Sequence, residues 1–166
     1  MRQLQLLDTS ILVELLQVPG ECARHHATVA EFEARSVPPT ELQMPVASIV
    51  EAGAHVGRVA NGHERRACAG RFAKMVRSTV DREAPWSFTP LDWDVAFLSE
   101  LTAPTDDRAP KIVESLSRQF LEMGDLLIVS EFRRVKANLD ARVVDVDVWT
   151  YDGNLRAVID SLRAHA

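Results

Sequence analysis

The stretch Leu4-Gln5-Leu6-Leu7-Asp8-Thr9-Ser10-Ile11-Leu12-Val13-Glu14-Leu15-Leu16 changes its character around one acidic residue. Residues 4–7 form a short apolar run suited to a buried strand. Asp8-Thr9-Ser10 supplies three side chains of the kind that cap helices and turn chains. Residues 11–16 then continue as a mostly apolar helical segment. The reading is strand, turn, helix, with a carboxylate at the carboxyl end of the strand.

Outward from there the same alternation repeats. Pro19-Gly20 breaks the first helix, residues 21–35 read as a second, and Val37-Pro38-Pro39 stops it. Residues 42–45 are a short second strand. Val46–Arg58 is helical, with Val46, Ile49, Val50 and Gly53 at helical spacing. Gly57 and Asn61-Gly62 punctuate its end, and residues 64–80 form a long basic amphipathic helix with Ala67, Cys68, Phe72, Met75 and Val76 facing inward. Residues 86–89 are a third strand. Pro90-Leu91-Asp92 leads to a helix over 93–102, with Asp92 as its N-cap. Residues 103–110 are a loop, the one most open to motion. A helix over 111–123 ends at Gly124, and Asp125 opens the next, to about Lys136. The valine-rich stretch 142–149 is the strongest strand, residues 150–154 turn, and 155–164 is a closing helix. Strands separated by helices predict a single α/β domain over residues 1–166. Its architecture is a three-layer α/β/α sandwich with a central parallel sheet.

Composition agrees with that class. The 166 residues are 46% hydrophobic and 26% charged, ordinary for a globular chain with one core. No apolar run approaches the roughly 20 residues that span a bilayer. The start, Met1-Arg2-Gln3-Leu4, meets an acid too soon for a signal peptide, so a cytoplasmic protein with no membrane partner is expected. Cys22 and Cys68 form no CxxC pair and read as reduced thiols. The net charge of −5 argues against nucleic-acid binding by bulk charge. Charge is uneven, however: between Arg58 and Arg82 there are seven basic residues and two acids. That segment is either a polyanion-facing surface or a solvated helix face.

Ligands of open parallel sheets collect outside the carboxyl ends of the strands. Asp8 follows the first strand and Asp152 the last; Asp125 opens a helix after Gly124; Glu51 lies one and a half turns into the helix after the second strand. Gathered on one rim, these acids would suit Mg2+ or Mn2+, which prefer hard oxygen donors. Each also has a plainer reading. Asp8 and Asp125 are good helix caps, Glu51 is a candidate surface residue, and Asp152 before Gly153 is a common turn residue. Asp145 and Asp147 alternate with Val144, Val146 and Val148, as on the solvated side of an outer strand.

The motifs in order resemble a family. Leu6-Leu7-Asp8-Thr9-Ser10 resembles the opening strand and first acid of PIN domains, especially the VapC-type toxins. Met44-Pro45-Val46-Ala47-Ser48-Ile49-Val50-Glu51 is similar to their second strand and acid-bearing helix, and Phe88-Thr89-Pro90-Leu91-Asp92 to their mid-chain junction. Gly124-Asp125-Leu126-Leu127-Ile128-Val129 resembles the third-acid motif. Val148-Trp149-Thr150-Tyr151-Asp152 resembles the fourth.

The resemblance implies a PIN-like fold and a Mg2+- or Mn2+-dependent endoribonuclease, the toxin of a type II toxin–antitoxin pair. Asp8 and Asp125 would be the principal metal ligands. Glu51 and Asp152 would complete the acidic pocket, and Thr150 would orient a carboxylate. Implied partners are RNA, a small antitoxin protein and a second copy of the chain as a homodimer. Asp145, Asp147 and Asn154 are further candidates for the site. Arg65, Arg66, Arg71 and Lys74 on the basic helix are the expected RNA contacts. The alternative is a non-catalytic PIN-like module that binds RNA or protein and keeps the acids as caps. A phosphatase using Asp8 as nucleophile fits poorly, because Ser10 stands where a second acid would be needed.

Overall fold

Leu6 and Leu7, adjacent in β1 (Arg2–Leu7), are both fully buried. Side chains alternate across a strand, so a strand buried at consecutive residues must be covered on both faces. The computed structural model, which describes residues 1–88, 92–104 and 106–164, provides that cover. β1 lies inside an all-parallel sheet of order β3-β2-β1-β4, with β2 (Thr40–Met44), β3 (Trp86–Phe88) and β4 (Val144–Trp149). One face carries Leu4, Leu6, Val144, Val146 and Val148, packed with residues of α5 (Val95–Thr102), α7 (Met123–Ala137) and α8 (Gly153–Ala164). The other carries Leu7, Leu42, Met44 and Trp149, packed with α1 (Thr9–Leu15), α3 (Val46–Arg58) and α4 (Gly62–Val80). The result is the α/β/α sandwich predicted from the sequence. Each fully buried leucine contributes on the order of 1.5–3 kcal/mol to it.

β4 is an edge strand, as its alternating pattern predicts. Its two acids are spent on α8: Arg163 Nη2 lies 2.7 Å from Asp145, and Arg156 Nη2 lies 2.8 Å from Asp147. Charges on an edge also discourage pairing with another chain.

Several element boundaries differ from the sequence reading. The second helix, α2 (His25–Arg35), starts four residues later than residue 21. The Arg24 N–H is taken by Glu14 Oε2 at 2.9 Å, which holds the preceding segment in a turn. The N-cap of α5 is Asp94, whose Oδ1 accepts from Phe97 N at 2.7 Å, and not Asp92. Thr89, Pro90 and Leu91, assigned from the sequence to a strand end and a helix approach, lie outside the described residues. The long helix over 111–123 is only α6 (Ile112–Ser117). Ala67 of α4 is exposed rather than inward. Among the described residues no helix is long and apolar enough to cross a membrane.

Candidate metal centre at the carboxyl edge of the sheet

Four elements deliver the predicted acids to one rim. Asp8 is the N-cap of α1, directly after β1, and is buried. Glu51 rises from α3, which follows β2; Ser48 of the same helix ties it to β1 through Oγ donating to Leu7 O at 2.7 Å. Asp125 lies in the first turn of α7, where Glu122, not Asp125, is the N-cap. Asp152 follows β4 and caps α8, its Oδ1 accepting from Leu155 N at 2.8 Å.

These carboxylates sense one another. Burial pushes the Asp125 carboxyl up to about 7, and the charges of Asp8, Asp152 and Glu51 act in the same direction against a hydrogen bond from Glu122 N. Burial also raises Glu51; the Thr9 hydroxyl opposes this, while Asp8 and Glu122 reinforce it. Repulsion of this kind is what a bound cation relieves.

The capping readings and the site reading turn out to be compatible. Each of the four acids commits one oxygen to a structural bond. Asp8 Oδ2 accepts from Thr150 Oγ1 at 2.7 Å, from Ser10 Oγ and from Ser10 N. Glu51 Oε2 accepts from Thr9 Oγ1 at 2.7 Å. Asp125 Oδ2 accepts from Glu122 N at 2.8 Å, half of a capping box. Asp152 spends Oδ1 on Leu155 N. Among the described residues, the second oxygen of each accepts no hydrogen bond. The carboxylates are thus oriented by the fold while half of their acceptor capacity stays free.

Small and hydroxylic residues make this packing feasible. A Cβ at Gly124 would overlap the Glu51 carboxylate, so glycine here leaves that side chain in its present position against α7. Thr150 works twice, donating to Asp8 and accepting from Asp152 N at 2.8 Å. Ser10 joins the same network, accepting from Tyr151 N at 2.9 Å while donating to Asp8. Sequence reasoning missed Ser10 and Glu122 as parts of the site. The Ser/Thr run after Asp8 and the Glu three residues before Asp125 are the signals that mark them.

The donor set is all carboxylate oxygen, which suits a hard divalent ion. Among the described residues no group of three His, Cys, Asp or Glu is close enough to hold one as it stands. What fits such an ion is the chemistry of the donors, and of the neighbouring carboxylate charges acting on Asp125 that of Asp8 is the largest.

The expected RNA contacts on α4 are placed differently. Arg65 Nη1 donates to Val59 O at 2.7 Å, and Arg71 donates to Leu16 O at 2.8 Å and Gln17 O at 3.0 Å. Val59 is the C-cap of α3, eight residues beyond Glu51. At about 1.5 Å per residue, Arg65 anchors roughly 12 Å down the helix from that acid. Arg66 and Lys74 are exposed. Asp145 and Asp147 are engaged by Arg163 and Arg156. Asn154 Nδ2 donates to Phe120 O at 2.9 Å.

No family model, curated protein or solved structure matches this chain.

Proposed function

We propose that this protein is a nuclease of the PIN-domain kind that hydrolyses RNA phosphodiester bonds with the help of Mg2+ or Mn2+. The observation that carries the reading is the convergence on one rim of Asp8, Glu51, Asp125 and Asp152, each oriented through one oxygen with the other left free. A divalent ion, when bound, would supply Lewis acidity and charge neutralisation for phosphodiester hydrolysis. In this reading Asp8 and Asp125 hold the ion. Glu51 and Asp152 orient water against the phosphate. Thr150 and Ser10 keep Asp8 from rotating. The toxin role, a small antitoxin partner, a homodimer and a cytoplasmic location belong to the same proposal and rest on the sequence resemblance alone.

Cleavage of a mixed RNA by wild type and by Asp8→Asn, with Mg2+, with Mn2+ and with EDTA, tests the reading. Loss of cleavage in EDTA and in Asp8→Asn is the expected result. Cleavage that ignores either change rules it out.

A second reading has its own observation. Every one of the acids makes a sound structural bond, and among the described residues no three already form a cage. A non-catalytic PIN-like module would keep them as caps. That reading expects no thermal stabilisation by Mn2+, whereas an ion that binds only the native state raises the melting temperature.

A further inference from the structure

The groove between α6 and α8 opens beside the acids and offers the opposite charge. It is a cavity of about 610 Å³, lined among others by Arg108, Lys111, Glu114, Arg118, Phe120 and Asn154. Two links join it to the candidate centre. Asn154 lies two residues after Asp152 and donates to Phe120 O at 2.9 Å. Glu122, two residues after Phe120, caps the helix bearing Asp125 and is felt electrostatically by Glu51.

Among the described residues the cations of this groove share the lack of an ion pair with Arg58, Arg66, Lys74, Arg77 and Arg82 on and around α4, and differ in this from several other arginines. Arg2, Arg35, Arg133, Arg142, Arg156 and Arg163 form ion pairs. Arg65 and Arg71 are occupied by main-chain carbonyls. Arg108, Lys111 and Arg118 form no ion pair among the described residues, although Glu114 lines the same cavity. The groove also holds an exposed ring: Phe88 (44%) and Trp93 (52%) are exposed elsewhere, and of the three it is Phe120 that lines this cavity. Phe97 and Phe132 are buried at 1% and 0% exposure, whereas Phe120 is 41% exposed. Its place depends on Gln119, whose φ of 52° reverses the chain so that Phe120 N returns to Ser115 O at 3.0 Å.

A polyanion approaching four carboxylates is repelled unless cations flank its path. Single-stranded nucleic acid is held where cations track the backbone and an aromatic face stacks a base. We propose that the α6–α8 groove is the subsite for a single-stranded RNA nucleotide flanking the cleaved phosphodiester. Arg108, Lys111 and Arg118 take its phosphates and the Phe120 ring stacks its base. The position beside the cleaved bond rests on the nuclease reading above; the binding of single-stranded RNA does not.

The test is fluorescence anisotropy with a short fluorescein-labelled single-stranded RNA of mixed sequence, in EDTA so that nothing is cut, across a series of KCl concentrations. Phe120→Leu should weaken binding about tenfold with the salt dependence unchanged, because a stacking contact is lost and no charge is. The combined variant Arg108→Ala, Lys111→Ala and Arg118→Ala should bind more weakly and flatten the slope of log K against log salt by about 2. All four side chains are exposed, and melting curves matching wild type establish that the variants fold. Wild-type affinity and slope in both variants overturn the assignment and leave the groove to a protein partner. So does a loss found instead in Arg66→Ala with Lys74→Ala on α4, or a wild type that binds no RNA. Groove-dependent binding by a wild type that never cuts supports the subsite and removes the nuclease reading. Metal-dependent cutting with unchanged affinity in the groove variants does the reverse.

Discussion

Thr150 lies at the crossing of two hydrogen bonds, donating to Asp8 Oδ2 and accepting from Asp152 N. Thr150→Val keeps the shape and removes both. It leaves Asp8, a buried carboxylate, with one fewer donor, and should cost about 1–2 kcal/mol in urea denaturation. On the proposed mechanism cleavage should fall about 10- to 100-fold, since an outer partner of a metal-holding carboxylate is lost. Thr150→Ser should recover most of both; if serine is as damaged as valine, the hydroxyl is not the cause. Gly124 poses a different question. On propensity alone, Gly124→Ala should stabilise α7 by up to about 1 kcal/mol. The added Cβ, however, meets the Glu51 carboxylate and must push it off Thr9. The two effects nearly cancel in stability, so the melting temperature should barely move while metal-dependent cleavage drops more than about tenfold. A variant that cleaves like wild type would show that the position of Glu51 does not matter to the chemistry.

At the scale of elements, the chain between α6 and α7 shows where sequence reading reached its limit. Ile112, Leu116, Phe120 and Met123 fall at helical spacing, which is why residues 111–123 read as one helix. The helix stops at Ser117 because Gln119 adopts a left-handed φ of 52°. Glycine normally announces that conformation, and none is present to announce it. Gln119→Gly should therefore stabilise the protein by about 1 kcal/mol or less in chemical denaturation, since relief of the left-handed backbone exceeds the entropy added to the unfolded chain. Destabilisation would mean that the glutamine side chain contributes more than its backbone costs. Arg108, Lys111 and Arg118 fall at helical spacing, but all three lie outside α6, so the groove they share is legible only once this break is known. The acids were legible for the opposite reason. Asp8 follows β1 directly, Asp152 follows β4 by a three-residue step, Asp125 sits in a capping box, and each is marked by local chemistry that needs no knowledge of the tertiary fold. The start of α2 was hidden because its control is distant: Glu14 captures the Arg24 N–H from ten residues away.

For the molecule as a whole, two buried acids set an unusual dependence of stability on pH. Glu131 is 4% exposed; burial pushes its carboxyl up to about 7, against the Gln43 hydrogen bond and the charge of Arg134. Its Oε1 accepts from Gln43 Nε2 at 3.2 Å, while Oε2 is buried without a partner among the described residues. Asp125, in the first turn of the same helix, is also pushed up to about 7. Both folded-state values lie above the unfolded ones, so between them the native state binds more protons than the unfolded chain. Stability from these groups is then full below about pH 4 and falls as pH rises through the window up to about 7, by on the order of 1–3 kcal/mol each. Carboxylates held by ion pairs, the more usual case, give the opposite slope. Glu131→Gln should flatten the fall and make the protein more stable than wild type at pH 8, as read from denaturant midpoints at a series of pH values. Mn2+ distinguishes the two groups. An ion at the rim favours ionised Asp125, so it should cancel that residue's share of the fall and become tighter as pH rises towards 7. The share of Glu131, enclosed against Gln43 beneath the sheet's helical cover, should persist in saturating Mn2+ and vanish only in Glu131→Gln. If Mn2+ leaves the whole slope in place while Asp125→Asn removes half of it, the acids at the rim interact with one another and hold no ion.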